Sequence, residues 1–213
     1  MDKLLKFFVE TGKLKDMPRR GWVLRNIKNP ESIAAHTFRV ALFAWVLGKK
    51  KNHLKVDKLI KMALIHDLCE TYSGDITPYD SLLKGKSKKQ IDQLLKTWPR
   101  FSDKERKRLA EKKFKKEKAG LEKLIKNLPN DLASEMKHLW LDYENGTTAE
   151  GRFFKQADRL ENFLQSLEYW KKFGKPPQKP WWDQARELFD DPTLLELVAM
   201  MEKTFHRTKK PMF

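Results

Sequence analysis

Cysteine is almost missing from this 213-residue chain: Cys69 stands alone. One cysteine excludes an intrachain disulfide, leaves no thiolate cluster for a sulfur-rich zinc site, and fits a reducing compartment. Glycine is scarce at nine residues, and the ten prolines fall between periodic segments and not inside them. Turn dipeptides framed by alternating apolar residues are nearly absent, which excludes a hairpin-rich β protein. The longest apolar run, Val40 to Leu47, is far too short for a bilayer span. The first residues, MDKLLKFFVETGK, have a broken apolar run and no small-residue cleavage pattern, so they read as an amphipathic helix and not a signal peptide. The expectation is a cytoplasmic, soluble, all-α protein with no membrane contact.

Positive charge is in excess. Lys and Arg outnumber Asp and Glu 45 to 29, a formal charge of +16. Residues 84–126 alone hold 17 basic against 6 acidic residues, +11 of that total. A basic excess spread over one face would point to nucleic acid. Confined to one lysine-rich segment with few aromatics for stacking, it reads first as a solvated helix face and second as a nucleic-acid contact. Seven Trp and thirteen Phe supply bulk for a core.

Apolar spacing at helical period predicts the elements in order. Leu4, Leu5, Phe8 and Val9 mark a buried stripe on a first helix ended by Gly12. A basic, irregular stretch follows, with Arg19, Arg20, Trp22 and Arg25 as either recognition residues or parts of a surface connection. Glu31 to Lys49 reads as a central helix, apolar around much of its circumference, carrying His36. Val56 onward reads as a helix through Leu68, stopped by Gly74 and Pro78. Ile91 to Trp98 gives a short helix, and Ser102 with Glu105 forms a capping box for another running to about Lys126. Asp131–Glu144, Ala149–Lys172 and Thr193–Phe205 complete the set. His138 has no ligand company and reads as structural; His53 and His206 lie in exposed, basic contexts and are given no role.

Three features do not belong on core helices. His66, Asp67, Glu70 and Asp75 crowd into ten residues at a helix end. If the helix continued, His66 and Glu70 would share a face. His36 lies on an apolar helix thirty residues earlier. Asp158 sits beside the stripe Phe153, Phe154, Ala157, Leu160, Leu164, Leu167 and Trp170, where an acid needs a partner. Helices packed together can converge such side chains. Two imidazoles and two carboxylates suit Mn²⁺, Fe²⁺, Co²⁺, Ni²⁺ or Mg²⁺.

The ordered set His36, His66–Asp67, Asp158 resembles the signature of the HD-domain metal-dependent phosphohydrolases. The surrounding words GWVLRN, PESIAAHTFRV, LIHDLCETYSGDITP and FFKQADRLENFLQ are similar to the 5′-deoxynucleotidase branch of that superfamily. The similarity runs from the first helix to about Tyr169. It implies a single HD domain with a core at about 1–80 and 127–173, a basic helical insertion at 82–126 and a variable tail at 174–213. It also implies hydrolysis of the 5′-phosphate of deoxynucleoside monophosphates, with His36, His66, Asp67 and Asp158 holding one divalent metal. Glu70 then acts as general acid/base, and Asp75 orients water, protonates the leaving oxygen or holds the sugar.

For the substrate, the resemblance points to Arg20, although Gly21 stands where bacterial members carry Trp, with Trp22 one place later. Trp22 either closes over the base or packs. Lys155, three residues before Asp158, either meets phosphate or pairs with Glu150 or Glu161. A small-molecule nucleotide is the expected partner, with a homodimer as the state common among relatives. The alternatives are an HD hydrolase acting on another phosphate ester or nucleotide, and a basic helical nucleic-acid-binding module. Asp80 reads as no more than the entry to the insertion.

Overall fold

The computed structural model describes residues 2–97, 101–174 and 189–207. Among these, the regular elements are helical, and the sole extended pairing is an isolated bridge between Pro18 and Ser32. The all-α expectation holds. Trp98, the Pro-rich break and the side chain of His206 lie outside the described residues. No helix among the described residues is long and apolar enough to cross a membrane.

The chain forms two compact units, each built from two separate stretches. The first comprises Met1–Ala35 and Asp67–His138, the second His36–His66 and Leu139–Phe213. The divisions fall inside two helices and at the peptide bond between His66 and Asp67.

In the first unit, α1 (Asp2–Gly12) leads into a 3-10 turn at Lys13–Lys15, and α2 (Arg20–Leu24) follows. The expected burial of the α1 stripe fails. Phe8 is 65 % exposed, and Leu5 and Val9 are also exposed. The packing of α1 on the 3-10 turn and α8 leaves that stripe uncovered. Next come α5 (Glu70–Ser73), α6 (Asp80–Leu83), α7 (Lys88–Thr97) and α8 (Asp103–Ile125).

The Ser102–Glu105 capping box is present at the start of α8, with each side chain bonding the other's backbone N–H. The first half of α8 is solvated, as its lysine content predicts. Its second half buries Glu117, Gly120, Leu121, Leu124 and Ile125, and α5 lies against it. The second half of α8 therefore carries a core face, a correction to the reading of this helix as a solvated face.

In the second unit, most of α3 (Ile33–Gly48) and α4 (Val56–Ile65) join the end of α9 (Asn130–Asn145), α10 (Ala149–Phe173) and α11 (Pro192–Arg207). α10 packs on α4 and α11. Ile33, Val40, Ala44 and Leu47 are buried, but Phe38 is 67 % and Trp45 51 % exposed, and Leu42, Val46 and Leu64 are exposed too. The apolar circumference of α3 is not buried all round: one side lines the core and the other faces out.

Asp142 fastens the start of α10. It accepts from Thr147 Oγ1 (2.6 Å), from Thr148 N (2.9 Å) and Thr148 Oγ1 (2.6 Å), and pairs with Lys58 Nζ at 2.7 Å. Burial raises this carboxyl, but those bonds outweigh it and hold Asp142 far below the usual carboxylate range. Thr148 caps α10 by accepting from Gly151 N. At the other end Gly174, at φ 68°, closes the helix in the left-handed conformation.

Candidate metal centre and acid cluster

The helix through His66 is shorter than its apolar spacing predicts. α4 stops at Ile65, and residues 67–72 close i→i−3 turns, such as Glu70 N to Asp67 O at 3.0 Å, before α5 ends at Gly74 (φ 72°). The expected i, i+4 pairing of His66 and Glu70 on one continuous helix face is therefore replaced by a tight turn. Tight turns set successive side chains in different directions, so neighbours in sequence can serve different tasks.

In the second unit three side chains converge, from α3, from the residue that follows α4, and from α10. His36 Nε2 lies 3.0 Å from Asp158 Oδ1, His66 Nε2 lies 3.4 Å from His36 Nε2, and His66 Nε2 lies 3.9 Å from Asp158 Oδ1. All three residues are buried. His66 Nδ1–H donates to the carbonyl of Ala63 at 2.7 Å, and His36 Nδ1–H donates to Glu161 Oε2 at 2.5 Å. With each Nδ1 turned to an oxygen, the two Nε2 atoms face each other and the Asp158 carboxylate. Two imidazole nitrogens and a carboxylate around one buried space are groups that ligate a cation. The donor set thus fits a divalent metal of the N/O-preferring kind.

Tyr143 Oη–H donates to the other oxygen of Asp158 at 3.0 Å, and its ring meets those of His66 and Phe154 edge-on. Arg39 clamps the far side of Glu161 at 2.7 Å and reaches Glu168 at 2.7 Å. Sequence reasoning missed Glu161, Arg39 and Tyr143. The i, i+3 spacing of Asp158 and Glu161 on a helix was the available signal for one of them.

The first unit holds the acids. Arg19 Nη1 donates to Asp67 Oδ2 at 2.8 Å, and its Nε lies 3.9 Å from Asp75 Oδ2. The backbone N–H of Arg20 donates to Asp75 Oδ2 at 2.7 Å. Glu70 is buried with no hydrogen bond to its Oε2. Burial, reinforced by the charges of Asp67 and Asp75, pushes its carboxyl well above the ordinary 4.5, against the pull of Arg19 and Lys113. A carboxyl whose proton is held more tightly than usual is equipped to give and take one.

The substrate candidates fall in varied places. The Arg20 guanidinium pairs through Nε with Asp80 at 2.9 Å, while Asp80 also accepts from Thr77 N and Oγ1. Asp80 is thus an anchor for the arginine loop as well as an entry to the next segment, and Arg19 is the residue that reaches the acids. Trp22 is buried, its ring N–H donating to Glu31 at 2.9 Å. Lys155 pairs with neither acid expected for it; its Nζ donates to the carbonyl of Glu144 at 2.7 Å. Burial lowers Arg25 to about 10, and this arginine turns inward to the carbonyl of Gly21. His138 is exposed and donates to the carbonyl of Ser134, a local structural bond.

Comparison with known proteins agrees with this chemistry. A family model described as "HD domain" matches residues 11–186. The 5′-deoxynucleotidase HDDC2 of Bos taurus is 34 % identical over 200 residues, spanning 93 % of this chain and 84 % of the relative. The 5′-deoxynucleotidase HDDC2 of Dictyostelium discoideum is 31 % identical over 95 % of this chain and 98 % of its own length. A crystal structure of a predicted metal-dependent phosphohydrolase from Magnetospirillum magnetotacticum superposes with a TM-score of 0.67 at 23 % identity, covering 97 % of this chain and 95 % of the other, a likeness of fold.

Proposed function

This chain belongs to the HD-domain family, and we propose that it is a metal-dependent phosphohydrolase removing the 5′-phosphate from deoxynucleoside monophosphates. The observation that carries the reading is the convergence of two imidazole nitrogens and a carboxylate from separate stretches of the chain, in a chain similar to named 5′-deoxynucleotidases.

His36, His66 and Asp158 would hold one divalent ion, and Asp67, peptide-bonded to His66, is the fourth ligand of the set. When bound, the ion acts as a Lewis acid toward a phosphoryl oxygen and lowers the pKa of a coordinated water. The remaining chemistry falls to the chain. Glu70 holds a proton on a buried carboxyl and exchanges it with water and leaving oxygen. Asp75, fixed by the backbone N–H of Arg20, orients the sugar or the water. Arg20 serves the phosphate dianion from a loop tied down by Asp75 and Asp80, and Arg19 balances the charge of Asp67. Trp22 and Lys155 are left to packing and to the carbonyl of Glu144.

A panel of 5′-, 3′- and 2′-deoxynucleotides assayed with Mn²⁺, Co²⁺, Fe²⁺, Ni²⁺ and Mg²⁺ tests the reading. Phosphate release from dAMP should require added ion and vanish with chelator. Asp67→Ala should abolish release while the circular dichroism of the helices persists. Release from dAMP that survives metal stripping sinks the proposal. Tight, salt-sensitive binding of oligonucleotides without any phosphate release would favour the nucleic-acid alternative.

A further inference from the structure

His36 has one ring nitrogen facing Asp158 and His66 and the other facing Glu161. Glu161 is wholly buried, on the same helix as Asp158 and one turn further along. Its Oε2 accepts from His36 Nδ1, and its Oε1 accepts from Arg39 Nε at 2.8 Å. Arg39 is held in turn by Gln165 Oε1 at 2.5 Å and Glu168 Oε2 at 2.7 Å, so the carboxylate cannot rotate away from the imidazole. His36 and Arg39, three apart on α3, thus take opposite edges of one carboxylate from α10.

The carboxylate is held by Arg39 against the imidazole, and an acceptor at Nδ1 fixes which nitrogen of His36 carries the proton. A carboxylate behind an imidazole also raises the basicity of the opposite nitrogen.

We infer that Glu161, locked by Arg39, is a positioning residue that presents His36 Nε2 as a metal ligand. The inference rests on the metal reading of His36, His66 and Asp158. Glu161 makes no contact with substrate in this role; it acts through His36.

The test is a Co²⁺ titration of the full chain, following the visible ligand-field absorption, with thermal unfolding of the metal-free proteins alongside. Glu161→Met removes the acceptor at similar length and should weaken Co²⁺ binding by about 10–100-fold and alter the absorption band. Glu161→Gln keeps an oxygen that can accept from Nδ1, so its affinity should fall between wild type and Glu161→Met. Arg39→Met removes the clamp on Glu161, so Co²⁺ affinity should fall in this variant too, though by less than in Glu161→Met, which lacks the acceptor altogether.

A merely structural pair predicts lowered Tm in all three variants with unchanged affinity and spectrum, and that result overturns the inference. If Glu161→Met does not fold, Glu161→Gln decides: an affinity and spectrum equal to wild type overturn it. Wild-type protein that binds no Co²⁺, or binds it unaltered in His36→Ala, rejects the metal reading itself, which separates the two failures.

Discussion

Glu70 is the residue whose surroundings most change its chemistry. Its carboxyl is buried between acids, with one oxygen lacking a hydrogen bond, and the proton is held well above the ordinary 4.5. The folded state therefore binds this proton more tightly than the unfolded chain does. Stability from that proton is complete below about 4.5 and is lost as pH rises toward the folded value. Glu70→Gln, neutral at every pH, should raise the Tm of the metal-free protein at pH 7–8 relative to wild type. That advantage should shrink toward pH 4.5. A difference in Tm that is the same at pH 5 and pH 8 would contradict the assignment. The same variant should bind metal normally and lose about 10²–10⁴-fold in turnover. Normal turnover would show that the proton is handled elsewhere.

The short helix α5 matters through what covers it. α8 presses against it at Gly120, where a Cβ would stand 2.6 Å from the backbone oxygen of Cys69. A backbone carbonyl at a turn cannot step aside, so Gly120→Ala should cost about 1–3 kcal/mol as overpacking. Because α5 begins at Glu70, kcat should fall in the surviving folded protein. Lys115→Ala, on the exposed side of the same helix, should change stability by less than about 0.5 kcal/mol. Urea unfolding of both variants checks the pair. Equal stabilities would mean that α8 yields at Gly120. Lysine content marked this helix as solvated, and for its first half it is. The pattern Gly120, Leu121, Leu124, Ile125 was the legible sign that the second half is core, but the surrounding charges masked it.

For the molecule as a whole, the charge of +16 sets a field that draws anions. For a nucleoside monophosphate this should appear in encounter and not in chemistry. Raising ionic strength from about 0.01 to 0.3 M shortens the Debye length from about 30 Å to well under 10 Å. It should lower kcat/KM for dAMP while leaving kcat unchanged. Replacing exposed lysines of α8 by glutamine should flatten that dependence. A salt-independent kcat/KM in the wild type would mean that the basic segment does not steer this substrate.

Sequence alone determined the helical class, most helix positions, the capping box at Ser102, and the ordered candidates His36, His66–Asp67 and Asp158. These signals are local. A helix repeats every 3.6 residues, a cap closes within four, and a histidine or acid on an apolar stripe is anomalous wherever the stripe ends up. The tertiary structure alone decided which apolar faces are covered. Phe8, Phe38 and Trp45 follow the same periodicity as buried residues, yet are exposed, with no element among the described residues packed over them. It also decided that Arg19, not Arg20, reaches Asp67, and that Glu161 backs His36 from 125 residues away along the chain. Such pairings depend on the register of distant segments, which no local pattern encodes. The same holds for the turn at 66–69. Apolar spacing carried a helix straight through it, and only the folded backbone shows where that helix stops.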